Sequence, residues 1–127
     1  MKQIMFFFFT IFLFTSCSPT KPGEPTMTGH WIALDEGAST KVDAHFWIDA
    51  QFIQSEESVS GKGTIQTSWG YSPSPITIDG TVSYPDVNLT ISQLYVSITG
   101  QFVNDRTITA YVQGNGYEHY MLTFTRQ

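Results

Sequence analysis

From Thr28 onward the apolar residues recur at every second position, and no stretch carries the i, i+3, i+4, i+7 spacing of an amphipathic helix. Side chains that alternate in this way lie on opposite faces of an extended chain, so the pattern dictates strands with one apolar face. The clearest run is Val42 to Ile53. Val42, Ala44, Phe46, Ile48, Ala50 and Phe52 share one face, while Asp43, His45, Trp47, Asp49, Gln51 and Ile53 share the other. Gly29 to Asp35, Val59 to Trp69, Ile76 to Tyr84, Val87 to Ile91, Leu94 to Val103, Thr107 to Val112 and Tyr117 to Arg126 alternate likewise, which brings the expected strands to eight.

The connections are short or rich in turn formers: "DEGASTK", "QSEES", "GYSPSP", "YPD", "SQ", "NDR" and "GNG". Asn and Gly tolerate positive φ and suit the tight hairpins that join neighbouring antiparallel strands. Hairpin-linked strands at this spacing form an up-and-down barrel or a sandwich. A barrel of eight strands has an interior just filled by side chains or wide enough for one small ligand, and closure leaves no exposed sheet edge. At 127 residues the chain is one domain's worth. A transmembrane barrel also alternates, but it would bring Asp43, His45 and Asp49 into a narrow lumen with no evident basic partners, a costly arrangement.

Ahead of the strands stand a cationic start (Met1-Lys2), an uncharged core from Ile4 to Phe14, and the small residues Thr15-Ser16 before Cys17, the only cysteine. An apolar core of this length suits an export signal and falls short of the ~20 residues that span a bilayer. The ending "FTSC" resembles the bacterial lipobox, with Phe14 where that motif usually has Leu. The resemblance implies a diacylglycerol on the Cys17 thiol and cleavage before it, making residues 1–16 a lipoprotein signal peptide. Residues 17–27 then form the lipidated Cys and a linker whose Pro19, Pro22 and Pro25 favour an extended chain of about 3.1 Å per residue. The two acyl chains supply the double hydrophobic signal of a stable anchor. The expected location is the bacterial cell envelope, lipid-anchored, at the outer membrane facing the periplasm.

Residues 28–127 make the barrel domain. Gly29-His30-Trp31 opens its first strand and "LTFTR" ends its last with Arg126, an arrangement that resembles the calycin group, the lipocalins and avidins. That resemblance implies a barrel-closing pair in which Arg126 rests on Trp31, a cation–aromatic contact worth about 0.5 to 2 kcal/mol. The Thr-Asp-Tyr motif of lipocalins and the full polar biotin set of avidins are absent, so the resemblance extends to fold and not to activity. The fold expected is all-β: an eight-stranded antiparallel up-and-down β-barrel, calycin-like.

The formal charge is -5, and of the six basic side chains Lys2 lies in the segment to be removed. Such a balance repels phosphate backbones and argues against nucleic acid as a partner. A single Cys permits neither an internal disulfide nor a multi-Cys metal cluster. No nucleophile elbow, phosphate-cradling loop or zinc-protease helix occurs, and no cofactor is expected. Asp43, His45 and Asp49 on one strand face are either a weak metal or acid–base site or a solvated outer surface. Gly61, Gly63, Gly80, Gly100 and Gly114 fall on the inward parity, where a glycine either lets the strand bend or leaves space for a guest.

In an up-and-down barrel the loops "DEGASTK", "GYSPSP", "SQ" and "GNG" ring the end opposite the tether. The inward residues nearest that end are Ala44, Trp69, Ile76, Ile91, Val96, Val112 and Tyr120, with Tyr71 on the rim. They describe a small-molecule pocket or an ordinary filled core equally well. The leading expectation is a non-catalytic envelope lipoprotein that binds a small apolar or amphiphilic ligand through these residues. The rival is a protein-interaction or inhibitor module anchored on an exposed Trp47, as surface Trp residues are enriched at binding hot spots.

Overall fold

The computed structural model describes residues 24–67 and 72–127. Eight strands follow one another: β1 (Gly29–Asp35), β2 (Trp47–Ser55), β3 (Ser58–Gln66), β4 (Ser74–Ser83), β5 (Asp86–Ile91), β6 (Val96–Asn104), β7 (Thr107–Gly114) and β8 (Tyr117–Arg126). Each pairs antiparallel with the next, and β8 returns to β1 with Trp31 opposite Arg126 and Asp35 opposite Leu122, closing the barrel. One short 3-10 turn, Ser92–Leu94, joins β5 to β6.

The period-two pattern sorts the side chains. Trp31, Ile48, Phe52, Ile78, Leu89, Ile98, Ile108, Leu122 and Phe124 are buried in a single continuous core along the barrel axis. Each such side chain contributes about 1.5–3 kcal/mol through the apolar surface it removes from water. Outward neighbours such as Thr77, Asn88, Thr109 and Thr123 are exposed.

Three stretches depart from the alternation. The run from Val42 to Phe46 is not strand: Asp43 and Ala44 donate backbone N–H groups to Thr40 and Lys41 in consecutive turns, and β2 starts at Trp47. Ala44 and Phe46 still turn inward and are buried, but Val42, expected inside, is 85% exposed. Leu94 belongs to the 3-10 turn and not to β6. In β8, Val112 pairs with Tyr120 and Gly114 with Tyr117, so Glu118 and His119 together oppose Gln113. This bulge, with His119 at φ 49, resets the parity, and Tyr117 and Tyr120 both face the core although they are three residues apart.

Of the glycines read as inward, Gly114 is instead exposed at φ +104 beside that bulge. Gly61, Gly63, Gly80 and Gly100 have backbone or ring atoms where a side chain would begin, so they permit close approach and make no room for a guest. Gly63 is the tightest case on β3: a Cβ there would lie 2.0 Å from the Asp49 carbonyl oxygen and 2.6 Å from Ala50 Cα.

The start of β1, the end of β8 and the turns at 56–57, 84–85 and 105–106 gather at one end, the floor. Residues 36–46, the end of β3, the start of β4, the 3-10 turn and Asn115-Gly116 gather at the other, the mouth. The packed unit takes in Met27, one residue ahead of the boundary drawn from proline spacing: its side chain is fully buried at the floor. Gly63→Ala is expected to lower stability by about 1–3 kcal/mol in urea denaturation, because β2 and β3 must separate. Thr90→Ala on the outer face is expected to stay within about 0.5 kcal/mol.

Candidate functional site

At the mouth, β1 ends in Asp35, which continues the inward parity of Trp31 and Ala33 and is 9% exposed. Its carboxylate accepts the His45 backbone N–H at 3.2 Å and the Tyr120 hydroxyl at 3.0 Å, with His45 Nδ1 3.7 Å away. Its own backbone N–H donates to the Phe46 carbonyl at 3.2 Å. Beneath the carboxylate, Phe46, Tyr117 and Tyr120 form a mutual aromatic triad with each pair of ring centroids 5.5 Å apart. Tyr117 donates its hydroxyl to the Thr67 carbonyl at 3.4 Å, tying the end of β3 to β8.

Burial pushes the Tyr120 phenol up to about 12, reinforced by its hydrogen bond to Asp35 and by that carboxylate's charge. Burial also raises Tyr117. Both phenols are therefore neutral donors at any physiological pH. The mouth therefore gathers one shielded carboxylate and two neutral phenols on buried aromatic carbon.

The long β1–β2 loop that carries His45 and Phe46 is latched to the outer wall. Lys41 Nζ lies 2.8 Å from Asp49 Oδ2, and His30 Nε2 lies 2.6 Å from Asp49 Oδ1. Partial burial raises the Asp49 pKa, but the hydrogen bonds and charges of Lys41 and His30 outweigh it and hold the group below the ordinary aspartate value. The Lys41 ammonium also sits 4.5 Å from the centre of the Trp47 ring. Trp47 is only 7% exposed, which corrects the expectation of a surface anchor there.

The Asp43, His45 and Asp49 grouping is likewise dispersed. His45 turns to Asp35, Asp49 to His30 and Lys41, and Asp43 accepts from the Thr40 hydroxyl at 3.5 Å. Among the described residues no three His, Cys, Asp or Glu side chains converge as a metal site would require.

At the floor, Arg126 stacks its guanidinium 4.4 Å from the Trp31 ring centre. The same group donates to the carbonyls of Asp105, Thr28 and Thr26, and the Trp31 indole N–H donates to Met27 at 2.9 Å. Burial lowers the Arg126 pKa from its usual value without removing its charge.

Of the eight residues expected to line a pocket, Ile76, Ile91, Val96 and Val112 are in the packed core. Ala44 is buried in the β1–β2 loop, and Tyr120 joins the triad. Trp69 and Tyr71 lie outside the described residues, as does Cys17. Sequence reasoning leaves out Asp35, Phe46 and Tyr117 as site residues. Asp35 is signalled by its parity with Trp31, and Phe46 by its parity with Ile48, whereas the β8 bulge hides Tyr117. Comparison of the chain with family models, curated proteins and solved structures finds no match.

A phenol whose folded pKa is raised loses stability once the unfolded chain can ionise. The fold should hold its stability below about pH 10 and lose part of it between about pH 10 and about 12. Tyr120→Phe is expected to flatten that alkaline loss in urea titrations. At neutral pH it should cost about 1–2 kcal/mol for the hydrogen bond withdrawn from Asp35.

Proposed function

We propose that this chain is a non-catalytic, lipid-anchored protein of a bacterial envelope whose calycin-like barrel takes a small apolar or amphiphilic molecule at its mouth. The observation that carries the reading is the convergence of Asp35 and the Tyr120 hydroxyl on the aromatic triad Phe46, Tyr117 and Tyr120. A mostly apolar recess with a few converging polar groups is the usual composition of a small-molecule site.

Ala44 and Phe46 are buried at the mouth, and both sit in the β1–β2 loop ahead of β2. In this reading the loop moves outward to admit the guest, giving up the backbone bond from Asp35 to Phe46 while the paired strand residues stay in place. The loop is held by the Lys41–Asp49 contact and by Asp35, so a guest that engages Asp35 replaces one latch as it enters.

The anchor in this reading is Cys17, on the strength of the "FTSC" ending and the apolar run before it. Because residues 26–28 are bound at the floor, the mouth faces away from the lipid. The Trp31–Arg126 stack supports the calycin-like kinship.

Titration with oleate, with haem and with envelope lipid extract, read by native mass spectrometry, is expected to give a one-to-one complex with at least one of them. Tyr117→Ala is expected to weaken it, and failure of all three probes removes the binding reading. The anchor is tested separately by fractionation. Cys17→Ala is expected to move the protein from membrane to soluble fractions, and unchanged fractionation overturns the lipid attachment.

A further inference from the structure

The close approach that Gly100 allows inside the barrel has a counterpart on its outer wall. Gly100 of β6 stands opposite Val87 of β5 and Ala110 of β7, and Ala110 stands opposite Leu122 of β8. A Cβ on Gly100 would lie 2.4 Å from the Thr109 carbonyl oxygen and 2.6 Å from the Ala110 Cβ. At this row neighbouring backbone and the Ala110 side chain occupy the space a larger side chain would need. Outside, a groove of about 420 Å³ runs over the same row, its lining including Gly100 and Ala110.

Two rows of outward side chains wall the groove. Asn88, Thr99, Tyr111 and Met121 form one, and Asp86, Gln101 and Thr109 form the other. Rows two residues apart along a strand stand roughly 7 Å from each other, and four strands at about 4.8 Å give a run of about 14 Å. The groove is thus long and narrow, and it crosses the strands.

Its chemistry restricts the guest. The lining contains no Lys, Arg or His, and its one charge is Asp86, on a chain of net charge -5. Phosphates, sulfates and carboxylates are repelled. Gln101 Nε2 donates to Asp86 Oδ1 at 2.8 Å and the Thr99 hydroxyl donates to Asn88 Oδ1 at 3.4 Å, so both amides are held in fixed orientations. The Asn88 NH2 group, the Gln101 carbonyl oxygen and the Thr109 hydroxyl remain for a ligand. The Tyr111 ring is stacked on His119 at 4.7 Å and 7° between planes, which fixes one wall before anything binds and reduces the ordering cost of binding.

A fixed phenol ring, a thioether and oriented amide and hydroxyl groups together match a polyhydroxylated ring. Its C–H face lies on the aromatic, and its hydroxyls both give and accept hydrogen bonds. We propose that this groove binds a short neutral saccharide chain running across β5 to β8.

The test is a glycan array followed by calorimetry on the purified domain with chito-, cello-, malto- and xylo-oligosaccharides. Binding of at least one neutral series is expected. Tyr111→Ala, Asn88→Ala and Gln101→Ala should each weaken it roughly tenfold, as substitutions at a binding hot spot do. Ile53→Ser on a different outer face should leave it unchanged, and circular dichroism reports whether each variant is folded. If Tyr111→Ala does not fold, the exposed Asn88 and Gln101 carry the test. Saturating oleate should not alter saccharide binding, because the groove and the mouth are separate sites. No binding across the neutral series, binding indifferent to all three wall substitutions, or preference for sulfated or uronic sugars would each overturn the proposal.

Discussion

Pairing of β1 with β8 is the constraint on which the remaining structure depends. Trp31 through Asp35 lie against Leu122 through Arg126, and this ladder turns a ribbon of hairpins into a cylinder with no unpaired edge. Closure demands an interior of fixed circumference, and the inward residues meet it by alternating bulk with near absence of bulk. Phe52 lies opposite Gly61, Leu89 opposite Gly80, and Val87 opposite Gly100. The small partners let neighbouring strands curve, and the large ones fill the space so enclosed.

Much of this architecture was legible in the residues because alternation is a local property with a single physical cause, the opposite orientation of successive side chains. The strand number, the antiparallel order and most inward positions follow from it. The failures occur where the backbone leaves the strand conformation without breaking the letter pattern. Val42 to Phe46 alternate as a strand would, yet two turns within "STKVDA" carry them, and Val42 ends exposed. His119 inserts one residue into β8, and nothing in "YEHYML" marks it.

The site was less legible than the fold for the same reason. Tyr117 reaches the triad only through the bulge, and Asp35 looks like the polar end of a strand until His45 and Tyr120 are seen to gather on it. Trp47 shows the complementary limit. Its parity does point outward, yet it is buried, with Lys41 reaching its ring from six positions earlier in the chain. The inward glycines were read as corners or as space for a guest. Their close contacts leave no room for a guest at Gly61, Gly63, Gly80 or Gly100, and the groove that Gly100 lines lies outside the wall.

The strap at the floor has a mechanical consequence. Thr26 and Thr28 give their carbonyls to Arg126, and Met27 is sealed beneath Trp31. A force applied through the chain ahead of Thr26 would therefore be received first by the last strand and the central indole, and not by the free end of β1. Load would be shared between the two strands whose union closes the cylinder, so such a force does not begin by unzipping its seam.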